Sequence, residues 1–200
     1  MKTRLQNSTA LKAFASKVRL SGIISLLLLL SFSLKADVIV TPATGGALIS
    51  ADKAANASAP VFSPLGDIVI SESATDDFVN TGGTAKTLII TAPTGWTFNT
   101  ASGTVAATGA DISSVSLAVS SSEITITLDV TATSSLDVIT VSGIEVQATD
   151  GAALPSAGQL YVSTANPGTA TITGIITTSN TDGSSGTDFG TLTQQAGDAA

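Results

Sequence analysis

One segment constrains the architecture more than any other. In Glu123-Ile124-Thr125-Ile126-Thr127-Leu128-Asp129-Val130 every even position is apolar and every odd position is polar. Successive side chains of a strand point to opposite faces, so this octapeptide has one face for a core and one for water. Just before it, Val115, Leu117 and Val119 alternate with Ser114, Ser116 and Ala118, and Ser120-Ser121-Ser122 supplies a turn; the two segments read as a β-hairpin. A second meander is expected from residues 138–141 and 144–148 on either side of Ser142-Gly143. Further strands are expected at 68–71, 87–91, 103–107, 160–163 and 170–176. No stretch after residue 36 repeats its apolar residues at the helical period, and the abundant Thr, Val and Ile have branched side chains that suit pleated surfaces. The expected fold class is all-β: an antiparallel β-sandwich of about eight or nine strands in two packed sheets.

Charge divides the chain sharply. Five of the eight basic residues (Lys2, Arg4, Lys12, Lys17 and Arg19) lie in the first nineteen positions, whereas all fifteen acids lie at or after Asp37. The basic start precedes an apolar run of Ile23-Ile24-Ser25, five leucines and Ser31-Phe32-Ser33-Leu34, about a dozen residues and short of the ~20 that a helix needs to cross a bilayer. This is the form of a helical signal peptide over residues 1–36, cleaved between Ala36 and Asp37. Leu34 is an unusual residue at its position, and Ser31/Ser33 offers a second cleavage site; an uncleaved anchor or a misassigned start is the competing reading. Cleavage at Ala36 leaves Lys53 and Lys86 against fifteen acids, a net charge of −13. Such a surface repels nucleic-acid phosphates and anionic headgroups, so nucleic acid is not an expected partner. No membrane span is expected after cleavage, and the product is expected to be secreted, extracellular or on the outer cell surface.

The exported part divides by composition. Residues 37–59 are rich in Ala, Gly and Pro and read as a linker or short N-terminal strands; 60–176 read as the sandwich; 177–200, dense in Ser, Asn, Thr, Asp and Gly, read as a flexible linker toward a downstream region.

The chain has no Cys and no His. That excludes disulfide staples, imidazole or thiolate metal sites, Cys nucleophiles and Ser-His-Asp catalysis. The lack of disulfides also suits a bacterial extracellular protein, which makes Asn56-Ala57-Ser58 a chance glycosylation sequon. Carboxylate chemistry remains, and a glycosidase would draw its pair from Glu72, Glu123, Glu145 or the aspartates. Glu123 and Glu145 occupy positions where solvated carboxylates are ordinary, so no catalytic or cofactor-binding residues are assigned and the expectation is a non-enzyme. Calcium is compatible with the composition, because it takes hard oxygen ligands. Asp76, Asp77, Asp111, Asp150 and Asp182 fall in expected loops, with Asp76, Asp77 and Asp150 the first candidates, although none has EF-hand spacing. Carbohydrate binding needs an exposed aromatic platform, for which Trp96, paired with Phe98 on one strand face, is the candidate; core packing is the preferred reading of both rings, because few other large residues exist to fill the sandwich.

Leu88-Ile89-Ile90-Thr91-Ala92-Pro93-Thr94-Gly95-Trp96-Thr97-Phe98-Asn99 resembles a repeat class of giant surface proteins of Bacteroidota. Val141-Ser142-Gly143-Ile144-Glu145-Val146-Gln147-Ala148 and Asn166-Pro167-Gly168-Thr169-Ala170-Thr171-Ile172 continue the likeness, and Asp188-Phe189-Gly190-Thr191-Leu192 resembles the linker that leads into further repeats. Those repeats are similar to Ig-like or cohesin-like β-sandwiches in adhesins. The resemblance implies a non-catalytic structural or adhesive module, an N-terminal fragment of a longer surface protein, whose partners are neighbouring β-domains, the cell surface or a glycan. It carries no catalytic residues. A carbohydrate-binding module is the alternative.

Overall fold

The computed structural model describes residues 37–152, 155 and 157–197, so the expected leader lies outside the described residues. In chain order the strands are β1 (Ile39–Thr41), β2 (Ile49–Ser50), β3 (Ser63–Pro64), β4 (Ile68–Ser71), β5 (Lys86–Thr91), β6 (Trp96–Phe98), β7 (Thr104–Thr108), β8 (Ile112–Val119), β9 (Glu123–Val130), β10 (Val138–Ser142), β11 (Glu145–Ala148), β12 (Gly158–Gln159), β13 (Thr191–Leu192) and β14 (Gln194–Gln195). A 3-10 turn at Ala51–Lys53 is the one helical element among the described residues. The protein is an all-β sandwich.

The alternating segment behaves as its pattern dictates. β9 is the centre of an antiparallel β5–β9–β8 sheet in which Ile126 lies opposite Leu88 on one side and Leu117 on the other. Ile124, Ile126, Leu128 and Val130 are all buried, whereas Glu123, Thr125, Thr127 and Asp129 look outward. Full burial of each aliphatic side chain contributes about 1.5–3 kcal/mol, which makes any other register of this strand costly. The Ser120–Ser122 turn forms as expected, with the Ser120 hydroxyl accepting from the amides of Ser122 and Glu123.

The second meander does not form. β10 and β11 are not antiparallel neighbours but successive parts of one strand, running along β4 and then β3 in a single register. Ile139 faces Ile70, Val141 faces Ile68, the Leu65 amide donates to the Ile144 carbonyl at 2.8 Å, and Val146 faces Ser63. Gly143, at φ +68°, bends the strand instead of reversing it. The buried positions switch parity together on both partners, from Ile139 and Val141 to Ile144 and Val146, and from Ile70 and Ile68 to Leu65 and Ser63. A shared kink of this kind turns a sheet while keeping its inner face apolar. β7 and β6 line the far side of the same bent strand, and β1 pairs with β4 on the other edge. The sequence pattern cannot separate a kink from a turn, because Ser-Gly serves both.

The larger correction concerns residues 177–200, expected to be a flexible linker. Through residue 197 this segment belongs to the folded body: Phe189 and Leu192 are 0% exposed and sit in the main core. From Leu160 onward the chain forms a strap over the open edge between the sheets. The amide of Thr91 donates to Tyr161, that of Ile89 to Pro167, and those of Thr169 and Ala170 both donate to the Thr87 carbonyl at 2.7 and 2.8 Å. The strap then crosses to the other sheet, where Val79 donates to Thr171, Thr173 to Asp77 and Val38 to Thr173. Its return leg seats Phe189 through hydrogen bonds with Leu160 and Ala43. The expected strands at 160–163 and 170–176 are accordingly single bridges, at Tyr161, Ser163 and Ile172. Residues 37–59 supply β1 and β2, with Val38, Ala43, Ile49 and Ala54 in the core.

Candidate functional site

The acids are the residues singled out for chemistry, and among the described residues four of them are buried: Glu72, Asp77, Asp111 and Asp137. They come from the connections after β4, between β7 and β8, and between β9 and β10. Those connections are rich in Ser, Thr and Gly and leave many backbone amides without ladder partners, which the carboxylates satisfy. Asp77 Oδ2 accepts from the amides of Ser73 and Ala74, both at 2.9 Å, and from the Ser73 hydroxyl. Glu72 takes the Phe78 amide on Oε1 at 2.7 Å and the Asp137 amide on Oε2 at 2.8 Å. Asp111 accepts from the amides of Ser134 and Ser135 and from the Ser134 hydroxyl.

The same geometry gives two of these groups opposite electrostatic fates. Burial pushes the Glu72 carboxyl above its ordinary pKa; the amides of Phe78 and Asp137 oppose that, and the charges of Asp137 and Asp77 add to it. Hydrogen bonds from Ser135 and Ser134 hold Asp111 below its ordinary value against the opposing effect of burial.

The calcium candidates do not converge. Asp77 is committed to its own loop as described, and Asp76 beside it is exposed. Asp150 Oδ1 accepts from the Asn56 side chain at 2.7 Å and from the Ala152 amide, tying the β11 exit to the segment after the 3-10 turn. Among the described residues no group of three or more acids is arranged to hold a metal ion. Asn56, the sequon residue, is engaged at both ends of its amide, since its Oδ1 also accepts from Gly151.

Trp96 is 5% exposed and packs with Phe98 on the inner face of β6, so the ring offers no platform for a sugar. Burial of both rings follows from their i, i+2 placement opposite Ala148 and Val146. The glycosidase candidates are likewise dispersed over separate structural tasks. Glu123 accepts from the Asn166 side chain and helps fasten the strap, Glu145 accepts from Asn99 across to β6, and Glu72 is buried among backbone amides.

An open cleft of about 620 Å³ lies where the turn before β6 meets the chain after β11 and the strap turn, lined by Pro93, Thr94, Gly95, Thr149, Asn180 and Asp182 among others. Among the described residues Asp182 is the one carboxylate in its lining, held below its ordinary pKa by the Ser184 amide. The lining is otherwise hydroxyl, amide and proline, suited to a small neutral polar ligand. Sequence reasoning singled out Asp111 as a loop acid but missed Asp137, whose local sequence Ser-Ser-Leu-Asp has nothing to distinguish it from any solvated turn.

No family model matches the chain, and neither the curated proteins nor the solved structures contain a significant match. Among the described residues no helix is long and apolar enough to cross a membrane.

Proposed function

We propose that this chain is a non-catalytic structural or adhesive module of a larger secreted or cell-surface protein, exported by the leader over residues 1–36. The observation that carries this reading is how the acids are used. Glu72, Asp111, Asp150 and Glu145 are engaged in hydrogen bonds that fasten one loop or strand to another, and Asp77 in bonds that close its own loop, in place of converging on an open cleft. A chain that spends its charged side chains on holding connections together is suited to bearing and presenting a surface. The basic-then-apolar leader, the absence of Cys and the resemblance to Ig-like or cohesin-like repeats of Bacteroidota surface proteins support the same reading.

Carbohydrate binding stands as a second reading, favoured by the neutral polar lining of the Pro93–Asp182 cleft and no longer by Trp96. The full-length chain, expressed in a bacterial host, is the material for the test. The structural reading expects a product beginning at Asp37 outside the cytoplasm, attachment to cells or surfaces, and no signal on a glycan array. Reproducible glycan binding lost on Asn180→Ala, with the fold intact, transfers the function to the cleft. Polysaccharide hydrolysis abolished by a single Glu→Gln change, or an intact leader on cytosolic protein, overturns the proposal.

A further inference from the structure

Glu72 and Asp137 clasp each other from both sides. The Glu72 amide donates to the Asp137 carbonyl at 3.0 Å, and the Asp137 amide donates to Glu72 Oε2 at 2.8 Å. This joins the end of β4 to the start of β10 where their ladder runs out, beyond the Ser71–Val138 pair. The Asp137 side chain is unevenly satisfied. Its Oδ1 accepts from the Ser135 hydroxyl at 3.3 Å and the Asp111 amide at 3.4 Å, but its Oδ2 is buried with no hydrogen-bond partner, in a residue only 1% exposed. A buried acceptor without a donor is costly, and a buried carboxylate more so.

The missing donor has few sources. The charged groups acting on Glu72 are Asp137 and Asp77, both acids. Two carboxyl groups held together in a buried site do not both ionise without penalty, and a protonated carboxyl is itself a donor. We propose that Glu72 and Asp137 share a proton, the Glu72 O–H donating to Asp137 Oδ2, and that this bond latches β4 to β10 at this end of the sandwich. Protonation weakens the bonds that Glu72 accepts from the Phe78 and Asp137 amides, which favour the charged form, and the new bond to Asp137 Oδ2 offsets that loss.

The rise in the Glu72 pKa agrees with this arrangement and fixes its sign. A carboxyl whose proton is held more tightly in the folded state contributes stability that is complete below its unfolded value of 4.5 and is lost as pH rises through the folded value. The latch is therefore closed in acid and opens toward neutrality, when the proton leaves to solvent and two like charges face each other. Its opening reaches the strap, because Thr173 and Thr171 dock on Asp77 and Val79, in the connection that Glu72 closes.

The test follows the melting temperature of the full chain between about pH 4 and about pH 8, with the Glu72 carboxyl titrated by carbon NMR. The proposal expects Glu72 to titrate above an ordinary glutamate, and expects Glu72→Gln to flatten a fall of a few degrees seen in the wild type across that range. Asp137→Asn is expected to move the Glu72 titration back toward the ordinary value. The slope and not the absolute melting temperature is decisive, since the amide of a glutamine side chain has one acceptor oxygen and cannot take both backbone N–H groups in the same way. A Glu72 titration at or below the ordinary value, or an unchanged slope in Glu72→Gln, overturns the latch. So does calcium chloride raising the melting temperature at neutral pH in the wild type but not in Asp137→Asn, which would make the pair a cation site. If Glu72→Gln does not fold, the NMR titration of wild type and Asp137→Asn decides alone.

Discussion

The β5–β9–β8 sheet and the strap from Leu160 to Thr193 build the same core by opposite means. The sheet holds itself: its central strand buries every second side chain, and its ladders run without a break except for one irregularity between Ile112 and Ser114. The strap has no ladder longer than two residues. It is held by scattered hydrogen bonds to the sheet edges and loops, one or two at a place, and by a few apolar anchors, chiefly Leu160, Val162, Phe189 and Leu192. An open sheet edge is a row of unpaired amides and carbonyls, and covering it is a recognised need of β proteins. A polar, loop-like sequence is therefore structural wherever its backbone has edges to satisfy.

Phe189→Ala puts the greatest strain on this contrast. If the strap is part of the core, truncating its fully buried ring costs about 3–5 kcal/mol in chemical denaturation, as much as a central sheet residue. A flexible tail would instead tolerate the change to within about 0.5 kcal/mol.

A pair of glycine substitutions sets the strap against the bent β10–β11 strand of the other sheet. Gly168 has φ +91°, and a Cβ there would collide with the Thr87 carbonyl oxygen, the acceptor that holds the strap to β5. Gly168→Ala therefore has to push the strap off the sheet edge and is expected to lower the melting temperature by several degrees. Gly143, at the bend between β10 and β11, has φ +68° but open space around its Cβ position. Gly143→Ala then meets backbone strain alone, about 1–2 kcal/mol. Equal effects at the two positions would mean that the strap gives way without cost.

The smallest expected effect is on the acid limb of the stability curve. Asp111 is held below its ordinary pKa, so its contribution is present above its unfolded value of 3.8 and is lost as pH falls through the depressed folded value. Asp111→Asn is expected to lower stability at neutral pH and to make the remaining acid loss shallower, read from melting temperatures across the acid range. An unaltered acid limb would show that the 131–137 loop is held by something other than this carboxylate. The opposite slopes expected from Asp111 and Glu72 make the two separable.

Legibility in the sequence followed how local the deciding interaction is. β4 and β9 were readable to the residue, and β5 to within one, because an apolar face at every second position identifies a strand without reference to its partners. The candidate site was readable only as residue types. Asp76, Asp77 and Asp150 are acids in loops, as expected, but whether loop acids meet depends on where three distant connections end up, and here they do not gather around a common point. Trp96 and Phe98 share a face as their spacing requires, yet which face was buried was left to the sheet pairing.

By itself, then, the sequence determined that residues 60–176 carry an all-β fold, that the 114–130 hairpin has its register, and that imidazole and thiolate chemistry is excluded, since side-chain period and residue type are local properties. Only the tertiary structure decided that Ser142-Gly143 bends a strand instead of reversing it, that the polar C-terminal segment closes the open edge, and that Glu72 and Asp137 are neighbours. Each of these depends on a backbone hydrogen bond between residues far apart in the chain, such as Leu65 to Ile144, Thr169 to Thr87 and Glu72 to Asp137. A backbone amide is the same group in every residue but proline, so its partner leaves no trace in the residue type.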